Sequence, residues 1–297
     1  MRSAVKAVAR VLGIDINSLL EGVSAWSIRM TYGQNGLKDL VARLREIIPD
    51  ISRQEESEKD VFDAYIELKR RTLQAFQCRL MLEMLKSVVS NAATVVDIGD
   101  SAGTHMLYLK ALAGGNLQLD TVSVNLDPRA IEKIRQRGLD GVLCRAEDLD
   151  LGERKIDLFT SFEMVEHLHD PAMFFRRLAV RSRCDRMLIT VPYLKQSRVG
   201  LHHVRHGSSG PIFAEDEHIF ELSPEDWSLL FLHSGWNVVS SHIYYQYPRR
   251  WLLVSNVLAW FWRRTDFEGF WGAVLEKDRT VSDRYQDWDD RPLTTNT

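Results

Sequence analysis

Over the first ninety residues, apolar positions recur at helical spacing. The stretch LKDLVARLREII carries such a pattern and stops at Pro49, which predicts a helix. A longer pattern from Ser57 to Ser90 places Val61, Tyr65, Leu68, Phe76, Leu80 and Met84 near one face. Its acidic opening, EESEKD, suits the positive N-terminal end of a helix. MRSAVKAVARVLGIDI has basic residues but neither a long apolar core nor a clear cleavage signal, so it reads as a short amphipathic helix rather than a secretory peptide.

The period then changes. TVVDIG, LDTVSVNL, GVLC, KIDLFTSF and RMLITVP are short apolar runs of the kind that form buried strands. Between them GTHMLYLKALAGG, DPRAIEKIRQRG and DPAMFFRRLAVRS read as helices punctuated by Pro and Gly. SPEDWSLLFLHSG follows as a helix, with Ser223 as N-cap and Pro224 in its first turn, and WNVVSSHIYY as a strand. This alternation from Thr94 to Tyr245 predicts an α/β fold with a doubly wound, mostly parallel sheet. Ligands of such sheets sit beyond the C-terminal ends of the strands. The expected organisation is a helical extension over 1–90, an α/β binding domain over 91–248, and an aromatic-rich helical tail over 249–297 whose end, DWDDRPLTTNT, has a disordered character.

Composition narrows the function classes. The chain has 297 residues, 45% hydrophobic and 27% charged, with a net charge of −3, which suits a soluble globular protein and argues against a general nucleic-acid binder. Cys78, Cys144 and Cys184 form no C-x-x-C pair and read as reduced thiols of a cytoplasmic protein, not as a disulfide framework or a zinc site. No apolar run reaches the ~18 residues of a membrane-spanning helix.

The turn DIGDSAGTH, Asp97 to His105, carries the candidate chemistry. Gly99 to Gly103 reads as G-x-S-x-G, the elbow that exposes a nucleophilic serine, here Ser101. That elbow needs strands and an oxyanion loop upstream, and neither is legible before it. The dinucleotide fingerprint fails on spacing, since the small residues stand at 99, 101 and 103. VVDIGDSAGTH instead resembles motif I of the class I S-adenosylmethionine (SAM) dependent methyltransferases. VNLDP, RAEDL, IDLFTSFEMVEHLHDP, LITVP and EHIFELSPEDWSLLFLHSGWNVV follow in that family's order.

The resemblance implies a Rossmann-like methyltransferase sheet behind an N-terminal helical extension, with residues 91–248 as the SAM-binding domain. On that resemblance, Asp97 orients the turn and the cofactor's ammonium end. Gly99 and Gly103 let the backbone lie against its methionine part, and Ser101 lines the pocket rather than attacking a substrate. Asn125 falls where a ribose-binding carboxylate is usual and offers a single carbonyl acceptor. Asp127 either supplements it or starts the next helix. Arg145 replaces an aspartate near the adenine, while Ala146 and Glu147 remain to meet that ring. Leu126 and Phe162 complete the expected cofactor lining. Arg79 matches an arginine that ubiquinone-pathway O-methyltransferases keep for the cofactor carboxylate; the alternative is an exposed helix arginine.

After the fourth strand there is no D/N-P-P-Y tetrad, which argues against methylation of a base amine. Glu163, Glu166 and His167 form E-x-x-E-H, and on one helical turn these positions would share a face. The same cluster occurs in ubiquinone O-methyltransferases and in 2′-O-methyltransferases that cap small RNAs. In the latter a later histidine completes a divalent-metal site, and His218 stands at the matching place. The resemblance therefore implies a magnesium or manganese site at Glu163, Glu166, His167 and His218, which would lower the pKa of an acceptor hydroxyl. Without metal, His167 and Glu166 are the catalytic candidates, with His167 as general base. The plainer alternative is that both only hydrogen-bond nearby loops.

The loop from Tyr193 to Glu217, with His202, His203, Arg205 and His206, is expected to be a lid or binding loop suited to an anionic substrate. The acceptor expected is a hydroxyl of a sugar, glycan, nucleotide-sugar or other small metabolite. The alternatives are an RNA 2′-O-methyltransferase, which the charge opposes, and a non-catalytic SAM-fold interaction subunit, which Ser101, Asn125 and Arg145 would suit. From Tyr244 onward Trp251, Trp260, Phe261, Trp262, Phe267, Phe270 and Trp271 interleave with Arg249, Arg250, Arg263 and Arg264. That tail reads either as a peripheral membrane contact or as a helix packed on the core or on a second subunit. The sequence leaves the oligomeric state open.

Overall fold

The computed structural model describes residues 16–51, 64–88, 91–115, 117–207, 209–213 and 217–285. The expectations for residues 1–15, for EESEKD and for DWDDRPLTTNT lie outside the described residues. Three helices come first: α1 (Ile16–Gln34), α2 (Lys38–Ile47) and α3 (Ala64–Val88). Strands β1 (Ala92–Ile98), β2 (Gln118–Asn125), β3 (Asp140–Leu143), β4 (Leu158–Phe162) and β5 (Arg186–Tyr193) then alternate with α4 (Thr104–Ala113), α5 (Pro128–Gln136) and α6 (Pro171–Arg181). A short ladder, β6 (Arg198–Val199) with β7 (Phe220–Glu221), flanks the one-turn helix α7 (His202–Arg205). After it come α8 (Pro224–Ser234), β8 (Trp236–Tyr245), α9 (Leu252–Thr265) and β9 (Gly269–Lys277).

The main sheet has seven strands in the order β3-β2-β1-β4-β5-β9-β8. β1 to β5 pair in parallel, and β9 runs antiparallel to both β5 and β8. Both sheet faces are covered, which is why the central strands are buried along most of their length rather than alternately. One face meets Leu44, Phe76, Tyr108 and Ile134 of α2 to α5, the other Phe174, Phe175, Trp227 and Phe231 of α6 and α8. Three helices start as their sequences require. Asp127, Asp170 and Ser223 cap α5, α6 and α8 through their side chains, each followed by Pro at the first helical position. Asp127 thus takes the helix-starting role of its two expected ones.

Two features were not legible beforehand. The segment expected to continue a helical tail turns into strand at Gly269, so among the described residues its helical content is α9 and a 3₁₀ turn at Ser282–Arg284. GFWGAVLEK is buried on both faces through Leu275, so it lacks the alternation that marks a half-exposed strand. A Cβ at Gly269 would strike the Tyr244 carbonyl, and one at Gly272 would stand 2.5 Å from Leu80 Cδ1. Arg71 is fully buried on α3. Its guanidinium donates to the carbonyls of Leu44 (3.0 Å), Ile48 (2.7 Å) and Pro49 (2.8 Å) and to the Tyr108 hydroxyl (3.1 Å), while Nε meets Glu67. It satisfies the open carbonyl end of α2 and ties it to α4.

Candidate active site at the C-terminal edge of the sheet

β1 delivers its chain into a turn that only glycine fits at two places. Gly99 has φ +93°, its N–H donates to Val124 O at 2.8 Å, and a Cβ there would stand 2.5 Å from Met164 Cγ. Gly103 has φ +74°, and a Cβ would stand 2.6 Å from Leu139 Cδ1. Ser101 between them is exposed and has no histidine partner among the described residues, which leaves nothing to activate it as a nucleophile.

Beneath the turn lies a buried ionic cluster. Asp100 accepts from the Thr104 N–H (3.0 Å) and the Ser123 hydroxyl (2.9 Å); burial, with Asp97 nearby, pushes its carboxyl up to about 6. Asp97 accepts from the Thr160 hydroxyl at 2.8 Å, and its other oxygen lies 3.3 Å from His105 Nδ1 without the alignment of a hydrogen bond. The other ring nitrogen, Nε2, donates to Gln77 Oε1 at 3.0 Å, and Gln77 Nε2 donates to the Thr190 hydroxyl at 2.9 Å. Burial alone would lower the His105 pKa, but the two carboxylates outweigh it and raise it. The ring centre lies 4.6 Å from that of Phe162, at the end of β4.

The other expected cofactor residues are placed as follows. Asn125 ends β2 and is half-buried; its amide donates to Asp100 O (3.3 Å) and its oxygen accepts from the Asp127 N–H (2.8 Å). Leu126 is exposed beside it. Ala146 and Glu147 begin a short 3₁₀ turn, and the exposed Arg145 lies 3.7 Å from Glu147. Arg79 is turned away from the glycine turn: its guanidinium donates to Asn35 O at 2.9 Å and lies over the Phe76 ring. Gln77, two residues earlier on α3, is the side chain that reaches the site.

A second cluster follows β4. The expected helical turn over E-x-x-E-H is not formed: only Val165–His167 make a 3₁₀ turn, and Glu163 before it has φ +50°. The physical reason is the tight exit from β4, where the Glu163 N–H still donates to Thr190 O in the sheet and Met164 packs on Gly99. Glu166, His167 and His218 nevertheless converge, with donor atoms within 4.8 Å of one another. Glu166 is buried with neither carboxylate oxygen hydrogen-bonded; burial first, then Glu163, raises its pKa well above the usual range. His167 Nδ1 donates to Glu217 O at 3.1 Å, so its neutral form carries the lone pair on Nε2. His218 stands edge-on to it at 4.7 Å, 3.5 Å from Glu221 Oε1, and stacks on Phe267. Glu163 lies outside this trio. Burial raises its carboxyl to about 8, and its electrostatic neighbours are Thr190, Lys69, Asp266 and His105.

The segment after β5 is pinned to this cluster. Gly200 and Leu201 N–H groups donate to Ile219 O (3.0 Å) and His218 O (2.8 Å), and the Ile219 N–H donates to Glu166 O (2.8 Å). Glu217 in turn accepts from both the backbone N–H and Nδ1 of His203. The rings of His202 and His206 lie 4.1 Å apart at a tilt of 37° and stay out of the cluster.

A seven-stranded mixed sheet with its glycine turn after β1 defines a class I methyltransferase fold. A family model for the methyltransferase domain matches residues 37–241, and the chain belongs to that family; it is a SAM-dependent methyltransferase. Solved structures agree on the fold. The chain resembles geranyl diphosphate methyltransferase in complex with SAM at 14% identity, covering 74% of this chain and 93% of that one, with a TM-score of 0.51. It resembles the putative methyltransferase complexed with the Trm112 methyltransferase activator of Haloferax volcanii at 14% identity, with 85% and 98% covered and a TM-score of 0.51. The [4+2]-cyclase SpnF matches at 13% identity, with 81% and 94% covered and a TM-score of 0.51. No curated protein sequence matches.

Proposed function

We propose that the protein methylates oxygen: the acceptor is a hydroxyl of a sugar, nucleotide-sugar or other small metabolite, and SAM is the donor. The observation that carries the reading is Glu166, whose two buried oxygens lack partners beside His167 and His218 at the acceptor edge. A buried carboxylate costs several kcal/mol unless something compensates it, so this group is arranged for a proton or a cation.

When bound, SAM supplies an electrophilic methyl group on a sulfonium. The edge suits it. The glycine turn brings the backbone close to the space beyond β1, Asp97 keeps one buried oxygen without a donor, and Ser101 and Leu126 stay exposed. Gly99, Gly103 and Asp97 would hold the methionine end, with Ser101, Asn125, Leu126, Ala146, Glu147 and Phe162 along the nucleoside. Asn125 has its carbonyl oxygen committed to Asp127, so it makes a weaker ribose partner than a free carboxylate. His167 then takes the hydroxyl proton on Nε2, held in that tautomer by the Glu217 carbonyl.

A second reading adds a divalent cation at Glu166, His167 and His218. Mixed oxygen and imidazole donors suit magnesium less well than manganese, and such a cation would lower the pKa of a bound hydroxyl. The three cysteines are unpaired, with Cys78 and Cys184 buried, which supports a reducing, cytoplasmic setting. No helix among the described residues is long and apolar enough to cross a membrane.

The test is a methyl-transfer screen of hydroxyl, amine and carbon acceptors, read by product mass, with and without Mn2+ or Mg2+. Products methylated on oxygen, lost in Glu166→Gln while SAM binding persists, are expected. Products methylated only on nitrogen or carbon would overturn the reading, and indifference to both metals would remove the cation.

A further inference from the structure

α9 has two unlike faces. Leu258, Ala259 and Trp262 are buried against Ala25 and Ile28 of α1 and against Tyr247, and Trp262 Nε1 donates to the Ser27 hydroxyl at 3.1 Å. On the other side Leu252, Leu253 and Val257 are 79%, 84% and 66% exposed, and Trp251 and Trp260 are about half exposed. A monomer's surface seldom keeps such a cluster without a partner.

The charge around this face is one-sided. From Trp251 to Thr265 the chain carries no carboxylate. Arg249 and Arg250 precede the helix and Arg264 closes it, while Arg263 is paired with the buried Glu268; the whole chain carries a net charge of −3. Arg264 lies over the Trp260 ring at 4.2 Å and Arg249 over Tyr245 at 4.4 Å. Leucines flanked by tryptophan and arginine at both ends match a partner that is apolar inside and anionic at its surface. A second copy fits less well. Two such helices packed antiparallel about a two-fold axis would set the arginines of one against those of the other, with no acid on either face.

The face also has a position. α9 leads through Asp266, bridged to Lys69, into Phe267, which stacks on His218. The next strand begins at Gly269 opposite Tyr193, at the C-terminal edge of the parallel strands. The end of α9 therefore adjoins the edge that carries Glu166, His167 and His218.

We propose that the exposed face of α9 docks on an anionic lipid surface and so brings the acceptor edge of the sheet to the bilayer. The docking rests on α9 alone; only its bearing on the acceptor depends on the O-methyltransferase reading.

The experiment is flotation of the full chain with vesicles of phosphatidylcholine alone and with added phosphatidylglycerol, at low and high salt. No methyl transfer is read, so its failure is distinct from failure of the proposed reaction. Binding to the anionic vesicles, weakened by salt, is expected. Leu253→Glu should lower partitioning by roughly tenfold or more, since it puts charge where an apolar side chain enters the lipid. Arg249→Glu with Arg250→Glu should abolish the preference for phosphatidylglycerol. Leu253 is almost wholly exposed, so an unchanged melting curve in Leu253→Glu will show that the fold is intact. Three results overturn the proposal: no flotation of the wild type, flotation untouched by Leu253→Glu, or light scattering that shows a dimer which Leu253→Glu splits.

Discussion

The two turns that leave adjacent strands β1 and β4 are built on opposite terms. After β1, Asp100 has both oxygens hydrogen-bonded, and the positive-φ positions are glycines. After β4, Glu166 has neither oxygen bonded, and positive φ falls on Glu163, a residue that pays for it. The first turn has its Asp100 carboxyl fully bonded and leaves open one Asp97 oxygen, beside His105. The second is unfinished without a proton, a cation or a substrate. Met164 joins them, since it belongs to the second turn and packs on Gly99 of the first.

Four changes would break or sharpen this contrast. The largest effect is expected from Gly99→Val, which meets both a left-handed backbone and the Met164 side chain, at a combined cost of about 2–5 kcal/mol. Calorimetry should show SAM binding abolished, and thermal unfolding should show a lowered Tm. Glu166→Gln should do the reverse: turnover falls by roughly 10²–10⁴-fold, SAM affinity stays as it was, and Tm holds or rises because a buried acid has been replaced by a neutral isostere.

The third change is read through pH. The Asp100 carboxyl sits at about 6, above its ordinary value, so the native state holds that proton more tightly than the unfolded chain. Stability from this group therefore falls as pH rises from the ordinary carboxylate range to about 6, and stays lower beyond it. His105 is raised as well, and its share is present at low pH and lost as pH climbs through its folded value. Glu163, raised by burial to about 8, loses its share over the same interval, so Tm should decline by several degrees from pH 5 to pH 8; Asp100→Asn should remove part of that decline and Glu163→Gln a larger part. A flat wild-type profile would count against the buried cluster. The smallest effect is expected from Asn125→Asp, a change in SAM affinity of about tenfold or less, since it restores a carboxylate whose one oxygen the Asp127 N–H still occupies.

The fold's parallel half was readable because its signals are local. Capped helices at Asp127, Asp170 and Ser223 and β-branched runs between them need no tertiary information. β9 was not readable, since a strand buried on both faces in an aromatic-rich stretch has no period of its own; the paired glycines at 269 and 272 were its one trace. At the site, motif order located the edge and brought Glu166, His167 and His218 forward. It could not supply Gln77, which reaches His105 and Thr190 from a helix of ordinary appearance. It could not reveal that Arg79 is spent on Asn35 either, because which way a helix turns its side chains depends on what packs beside it. Asp100 and His105 stood within the quoted turn, but their burial, not their identity, makes them a cluster.

β9 is the last of the seven strands to be synthesised, and it takes the place between β5 and β8. Until residue 277 has been made, β5 and β8 each face an empty lane, and β8 has no other partner among the described residues. A nascent chain therefore carries two open strand edges, and open edges invite pairing with other chains. The order of manufacture runs against the order of assembly here. The sheet closes only when β9 arrives, so a chain cut short before Gly269 would leave β8 without its partner and β5 with a bare edge.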